Sequence, residues 1–276
     1  QELTNKIKEN NDKYDSILEI VISDDKASSA WHQLNKIILG IKMLPRLYQL
    51  CEDISQKFDI KDSLDVDSKY SEYGQDNIRG LLSIYNNEVT DNPPSLILGS
   101  TQFLSGNCEN KLERKYYSAA DTLVLFALDY SICHEVGHLL KDDESMSPIE
   151  KEQCADDFAF QLLKEMHQKE MHIDKGLANS RAIGTFLGIA SVLFFRNPEE
   201  ENDDKSHPHT IERMYSMLNN WQVEGNSLLW EIGCFLIGKW TKINGMLLPW
   251  DTDEPLTSQD KFMCAYNRIN KEHQYI

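Results

Sequence analysis

Two stretches decide the fold: AADTLVLFALDYSICHEVGHLL (119–140) and SPIEKEQCAD (147–156). The first is a mainly apolar run that reads as one long helix, and it carries His134-Glu135-Val136-Gly137-His138 inside it. An acidic connection, KDDESM (141–146), follows. Ser147, Pro148 and Glu150 then supply a helix start, with Ser at the N-cap, Pro at N1 and Glu at N3. That second helix is expected to run to about Gln168.

On a helix, residues four apart share a face, so His134 and His138 can turn both imidazoles toward one ion. Neutral imidazole nitrogens bind zinc well. Glu135, beside the first ligand, is the group that can take a proton from the attacking water, which is why H-E-x-x-H suits hydrolysis. A structural zinc site would use four closed ligands and more cysteine. Thirteen residues separate His138 from Glu152, which opens Glu152-Gln153-Cys154-Ala155-Asp156 on the next helix. Glu152 and Asp156 again share a face. Glu152 completes three protein ligands and leaves a fourth position open, while Asp156 is placed to accept the second ring N–H of a ligand histidine, His134 being the expected partner. The competing reading, that all of these are ordinary core or surface polar residues, has to explain both spacings at once.

Working outward, SILEIVIS (16–23) and KIILGI (36–41) read as strands of a small N-terminal sheet, with Asp24-Asp25-Lys26 as a hairpin turn between them. A helix is expected from Leu44 to Ser55, with Pro45 at its start. Residues 60–115 are polar and irregular, broken by Pro93-Pro94, with SLILGS (95–100) as a candidate strand. Further helices are expected at 178–196, 208–220, 227–241 and 258–271, and the acidic loop 197–206 reads as a solvated face. There is no internal repeat. The fold class is therefore α+β, mostly helical, in one domain over 1–276: a sheet and irregular part to 115, then a helical catalytic part from 116.

Composition bounds the partners. A formal net charge of −17 repels nucleic-acid phosphates and anionic bilayers, so neither is an expected partner. The longest uncharged apolar run, Ala182–Phe195, has fourteen residues, short of the roughly 20 that span a bilayer, and reads as a core helix. The opening QELTNKIKEN resembles no signal peptide. Six scattered cysteines without CxxC spacing suit a reduced, cytoplasmic protein. Cys133 and Cys154 flank the motif residues and are expected to pack rather than ligate. His167 and His172 are expected to be exposed, and Trp221, Trp230, Trp240 and Trp250 to be core.

HExxH followed by ExxAD resembles the gluzincin arrangement of zinc peptidases. The segment Ser206-His207-Pro208-His209-Thr210-Ile211-Glu212-Arg213 resembles the HP-x-x-x-E-R element of HtpX-like and CAAX-processing peptidases. In the order CHEVGH, ExxAD, AIGTFLGIASVL and HP…ERMYS, the chain is similar to the Lit-type phage-exclusion peptidases over about residues 118–220. That resemblance implies a zincin-like fold, zinc on His134, His138 and Glu152, and Glu135 as catalytic base. It makes Asp156 the residue that orients a ligand histidine, and gives His207 an approach to the oxyanion. The alternative for His207 is an N-cap before Pro208 at N1; His209, two residues on, should face another way. Arg213 is expected to anchor acidic neighbours. The family further implies a latent cytoplasmic enzyme acting on a protein substrate, elongation factor Tu, and released by an activating partner or event upon phage infection. Two other classes fit the same motif: an ImmA-like regulatory peptidase that cuts a repressor, and a non-catalytic zinc-binding interaction module in which Glu135 would be dispensable.

Overall fold

Short runs rich in Ile, Val and Leu near the N-terminus supply the sheet. The computed structural model describes residues 19–23, 30–33, 36–40, 43–60, 111–195, 208–245 and 257–273. Strands β1 (Glu19–Ser23), β2 (Ala30–Gln33) and β3 (Lys36–Gly40) form one sheet in the order β1-β3-β2. The near-continuous apolar run Ile37-Ile38-Leu39 takes the centre, as a strand flanked on both edges should. β1 pairs with β3 in parallel and β2 with β3 antiparallel. This corrects the hairpin expected between 16–23 and 36–41, because parallel neighbours cannot be joined by a tight turn. The chain reverses first through β2, whose four mixed residues AWHQ carry no legible period. The turn expected at 24–26 lies outside the described residues.

The helices follow their local signals. α1 (Met43–Lys57) holds Pro45 in its first turn, where its missing N–H costs no helical bond. α2 (Lys111–Lys141) is 31 residues long and begins upstream of the expected start at 119. α3 (Pro148–Met171) starts on the expected capping box: Glu150 N–H donates to Ser147 Oγ at 3.3 Å, and Ser147 N–H donates to Glu150 Oε2 at 2.8 Å. One helix expected at 178–196 is two, α4 (Lys175–Ala190) and the short α5 (Val192–Phe195). α6 (Thr210–Asn220), α7 (Leu228–Ile243) and α8 (Ser258–His273) complete the chain. The candidate strand 95–100 and the acidic loop 197–206 lie outside the described residues.

α2 is the axis of the fold. It packs against α4, α3 and α1, and buried side chains from each of the described helices join one core cluster. Its crossings with α4 and α3 are made at residues without bulk. A Cβ at Gly184 of α4 would lie 2.8 Å from the Leu123 carbonyl oxygen, and one at Gly188 would lie 2.8 Å from that of Ala127. Inside the motif, a Cβ on Gly137 would stand 2.7 Å from Ala155 Cα and 2.9 Å from its carbonyl oxygen on α3. Helix-interior glycine costs about 1 kcal/mol relative to alanine; here that cost is offset by the approach of two backbones. Val136 turns the other way, onto Ile37 and Leu39 of β3.

A part-buried ion cluster around the buried Arg181 fastens α2 to α3 and α4. Arg181 lies with its guanidinium over the Phe126 ring, 4.3 Å from the centroid. It donates to both oxygens of Glu170 at 2.6 and 2.7 Å and to Asp129 Oδ2 at 2.9 Å. By length and composition, Ala119–Lys141 and Lys175–Phe194 could each cross a bilayer. In both, 72% of the apolar window is buried inside the protein, as in core helices.

Substituting Gly137 by Ala places a methyl group where Ala155 already stands, and the atoms it meets are backbone, which cannot swing aside. Overpacking of this kind costs about 1–3 kcal/mol. G137A should lower the unfolding free energy in urea titrations by that amount and, by parting α2 from α3, weaken metal binding; retention of both would show that the crossing tolerates the methyl.

Candidate metal centre

Because α2 and α3 cross at Gly137 and Ala155, the two helices bring His134, His138 and Glu152 together, each only 8–9% exposed. His134 Nε2 lies 3.2 Å from His138 Nε2 and 3.3 Å from Glu152 Oε2, and His138 Nε2 lies 3.2 Å from Glu152 Oε1. A tetrahedral ion with ligand bonds of about 2.0–2.1 Å needs ligand atoms about 3.3 Å apart. The donor set fits a metal ion. Among the described residues it is the group of three or more His, Cys, Asp or Glu side chains whose ligand atoms converge in this way.

The other ring nitrogens explain why these atoms face one another. His134 Nδ1 is 2.9 Å from Asp156 Oδ1, and His138 Nδ1 is 3.1 Å from Asp142 Oδ1. With both Nδ1–H groups donated to carboxylates, both Nε2 lone pairs point at the same place as Glu152. Such a set is held together only by a cation or a proton. Burial works against charge on His134, but hydrogen bonds to Asp156 and Glu152 overcome it and raise the imidazole pKa to about 9. A metal ion competes for that position with the proton, so its affinity falls as pH drops.

Asp156 is itself fixed from three sides. Arg213, on α6, donates from Nε to Oδ2 at 2.8 Å and from Nη2 to Oδ1 at 2.8 Å. Tyr130 O–H donates to Oδ1 at 2.7 Å and accepts from Arg213 Nη2 at 2.8 Å. Burial alone would raise the Asp156 carboxyl, but Arg213 and His134 beside it hold it well below the usual carboxylate range. The aspartate is therefore ionised and cannot rotate, and the His134 ring is fixed with it.

The structure places the remaining residues as follows. Glu135 is 8% exposed and sits beside His134 on α2, one helical step of about 100° around the axis. His207 lies outside the described residues. The capping reading of that segment is corrected: His209 is the N-cap of α6, its Nδ1 accepting from Ile211 N–H at 3.2 Å, and Thr210 rather than Pro208 is the first helical residue. Cys133 is fully buried and burial pushes its thiol up; Cys154 is half-buried. His172 is exposed, but His167 is half-buried against Trp221, ring centroids 5.2 Å apart, because Trp221 folds back to donate to the Phe160 carbonyl. Trp230 and Trp240 are core, Trp221 is half-buried, and Trp250 lies outside the described residues.

Sequence reasoning passed over Tyr130 and Asp142. The signal was present: 130, 134, 138 and 142 are each four apart, so one stripe of α2, continued one residue past its end, carries the two imidazoles with a polar residue on either side.

Removing one member of a buried ion pair costs about 3–5 kcal/mol, because the partner's charge stays behind. R213M should lose stability of that order. In the wild type, the depressed Asp156 pKa contributes stability that is complete above the ordinary aspartate value of about 3.9 and fades as pH falls through the folded value beneath it. The gap between wild type and R213M in urea titrations should therefore be constant at neutral pH and narrow only in strong acid. A gap that already shrinks near pH 6 would contradict this account.

A model of the peptidase U49 family matches residues 85–233, which contain all three candidate ligands, Glu135, Asp156 and Arg213. No curated protein and no solved structure matches the chain. The match spans more than half of the 276 residues, and the chain belongs to the peptidase U49 family.

Proposed function

We propose that the chain is a zinc-dependent endopeptidase whose metal is held by His134, His138 and Glu152. The observation that carries this reading is the convergence of the two Nε2 atoms and the Glu152 carboxylate at 3.2–3.3 Å, with each imidazole's far nitrogen tied to its own aspartate. Two histidines and one glutamate form a set that favours zinc and leaves a coordination position open. Zinc there supplies Lewis acidity toward a water and a scissile carbonyl. Glu135, next to the first ligand, takes the proton of the attacking water and passes it to the leaving amine. Low exposure of the whole group limits bulk water, which strengthens each charge interaction. His207, by its place in the HP…ER element, is the proposed donor to the oxyanion.

The finer reading rests on resemblance. Similarity to Lit-type peptidases supports a cytoplasmic enzyme, latent until triggered, that cuts one protein target in defence against phage. Elongation factor Tu is the target to assay first. A latent enzyme should leave casein intact.

The test pairs metal analysis with one substitution. Purified protein should carry close to one equivalent of zinc, and less than about half would count strongly against the reading. E135Q should keep the zinc and the fold while losing about 10²–10⁴-fold in turnover. If E135Q leaves every phenotype intact, the chain is a non-catalytic zinc-binding module.

A further inference from the structure

The acidic connection after α2 contains three consecutive acids, Asp142, Asp143 and Glu144, and they do different work. Asp143 closes a turn, its Oδ1 accepting from Ser145 N–H at 2.8 Å and from Ser145 Oγ at 2.6 Å. Glu144 is exposed. Asp142 alone turns back toward the helix. Its Oδ1 lies 3.1 Å from His138 Nδ1, and its N–H donates to the His138 carbonyl at 3.1 Å.

The position is unfavourable for a carboxylate. The last carbonyls of a helix carry partial negative charge, so an anion placed there destabilises the helix. α2 ends at Lys141, one residue before Asp142. On grounds of helix stability, Asp142 is a poor choice. Its contact with His138 is what the position supplies in return.

From this we infer that Asp142 is the positioning residue for His138. It fixes the tautomer with hydrogen on Nδ1 and holds the ring so that Nε2 faces Glu152 and His134. This inference rests on the metal reading of the triad. It makes the two imidazoles unequal. His134 is tied to an aspartate with a 7% exposed side chain that Arg213 and Tyr130 also hold, whereas the aspartate on His138 has a side chain that is 26% exposed. The His138 limb is the one through which the site loosens.

The test measures zinc affinity by competition with a chromophoric chelator for wild type, D142A, D142N and D143A, together with unfolding of each variant stripped of metal. D142A should bind zinc about 10–100-fold more weakly. D142N retains an acceptor oxygen and should recover most of the loss. D143A should bind as wild type does. The metal-free unfolding midpoint of D142A should be equal to or above that of wild type, since an unfavourable charge has gone. Unchanged zinc affinity in D142A would overturn the inference, as would a metal-free midpoint that falls in step with affinity, the mark of a purely structural residue. Failure of the wild type itself to bind zinc would instead remove the metal reading on which the inference stands.

Discussion

The approach of the α2 and α3 backbones at Gly137 and Ala155 is the constraint on which the rest of the molecule depends. Metal ligands on two different helices can share an ion only if the helices are held at one separation and one rotation. Here both are set by direct backbone contact. His134 and His138 lie one turn apart on α2, either side of the level of Gly137, and Glu152 lies one turn before Asp156 on α3. Val136, between them, is pressed on β3, so the sheet supports the motif from behind. The five residues of the motif thus have separate physical duties: two for the ion, one for the sheet, one for the crossing, and Glu135 for the chemistry proposed.

Electrostatics adds rigidity that apolar packing cannot supply. Several charged or strongly polar groups are buried near the crossing, a costly arrangement unless each is paired. Asp156 is the hub, because it accepts from His134, Tyr130 and Arg213 together. Three helices, α2, α3 and α6, therefore meet at one carboxylate. The spacing ExxAD is a consequence of that geometry, since the small residue lies against Gly137 and the acid one position later reaches under the histidine.

Much of this was legible in the sequence because it rests on local rules. The capping box at Ser147, the i, i+4 pairs and the apolar runs each follow from helix geometry alone, and the convergence of His134, His138 and Glu152 could be read from them. What escaped notice depends on tertiary partners. Gly137 and Ala155 look like unremarkable small residues until the crossing is seen. Tyr130 reads as another apolar residue of a core helix, and Asp142 as one of a run of solvated acids. β2 was missed for a different reason: four mixed residues have no period of their own, and their place is determined by the edge of β3. The N-cap of α6 was misplaced because His and Pro at 207–208 offer a stronger textual signal than a histidine cap at 209.

The pair Asp129–Arg181 has a consequence for the chain before it folds. Among the described residues, α2 and α4 contain stretches with the length and apolarity of bilayer spans, and each carries one of these charges well inside it. A charge near the middle of a span adds about 2.5–3.5 kcal/mol to the cost of insertion. An extended, newly made chain presents that penalty in both segments. On folding, the two charges meet at 2.9 Å, and Arg181 offsets part of the burial cost that still raises the Asp129 carboxyl. The same two side chains thus oppose one fate of the apolar segments and fasten the other.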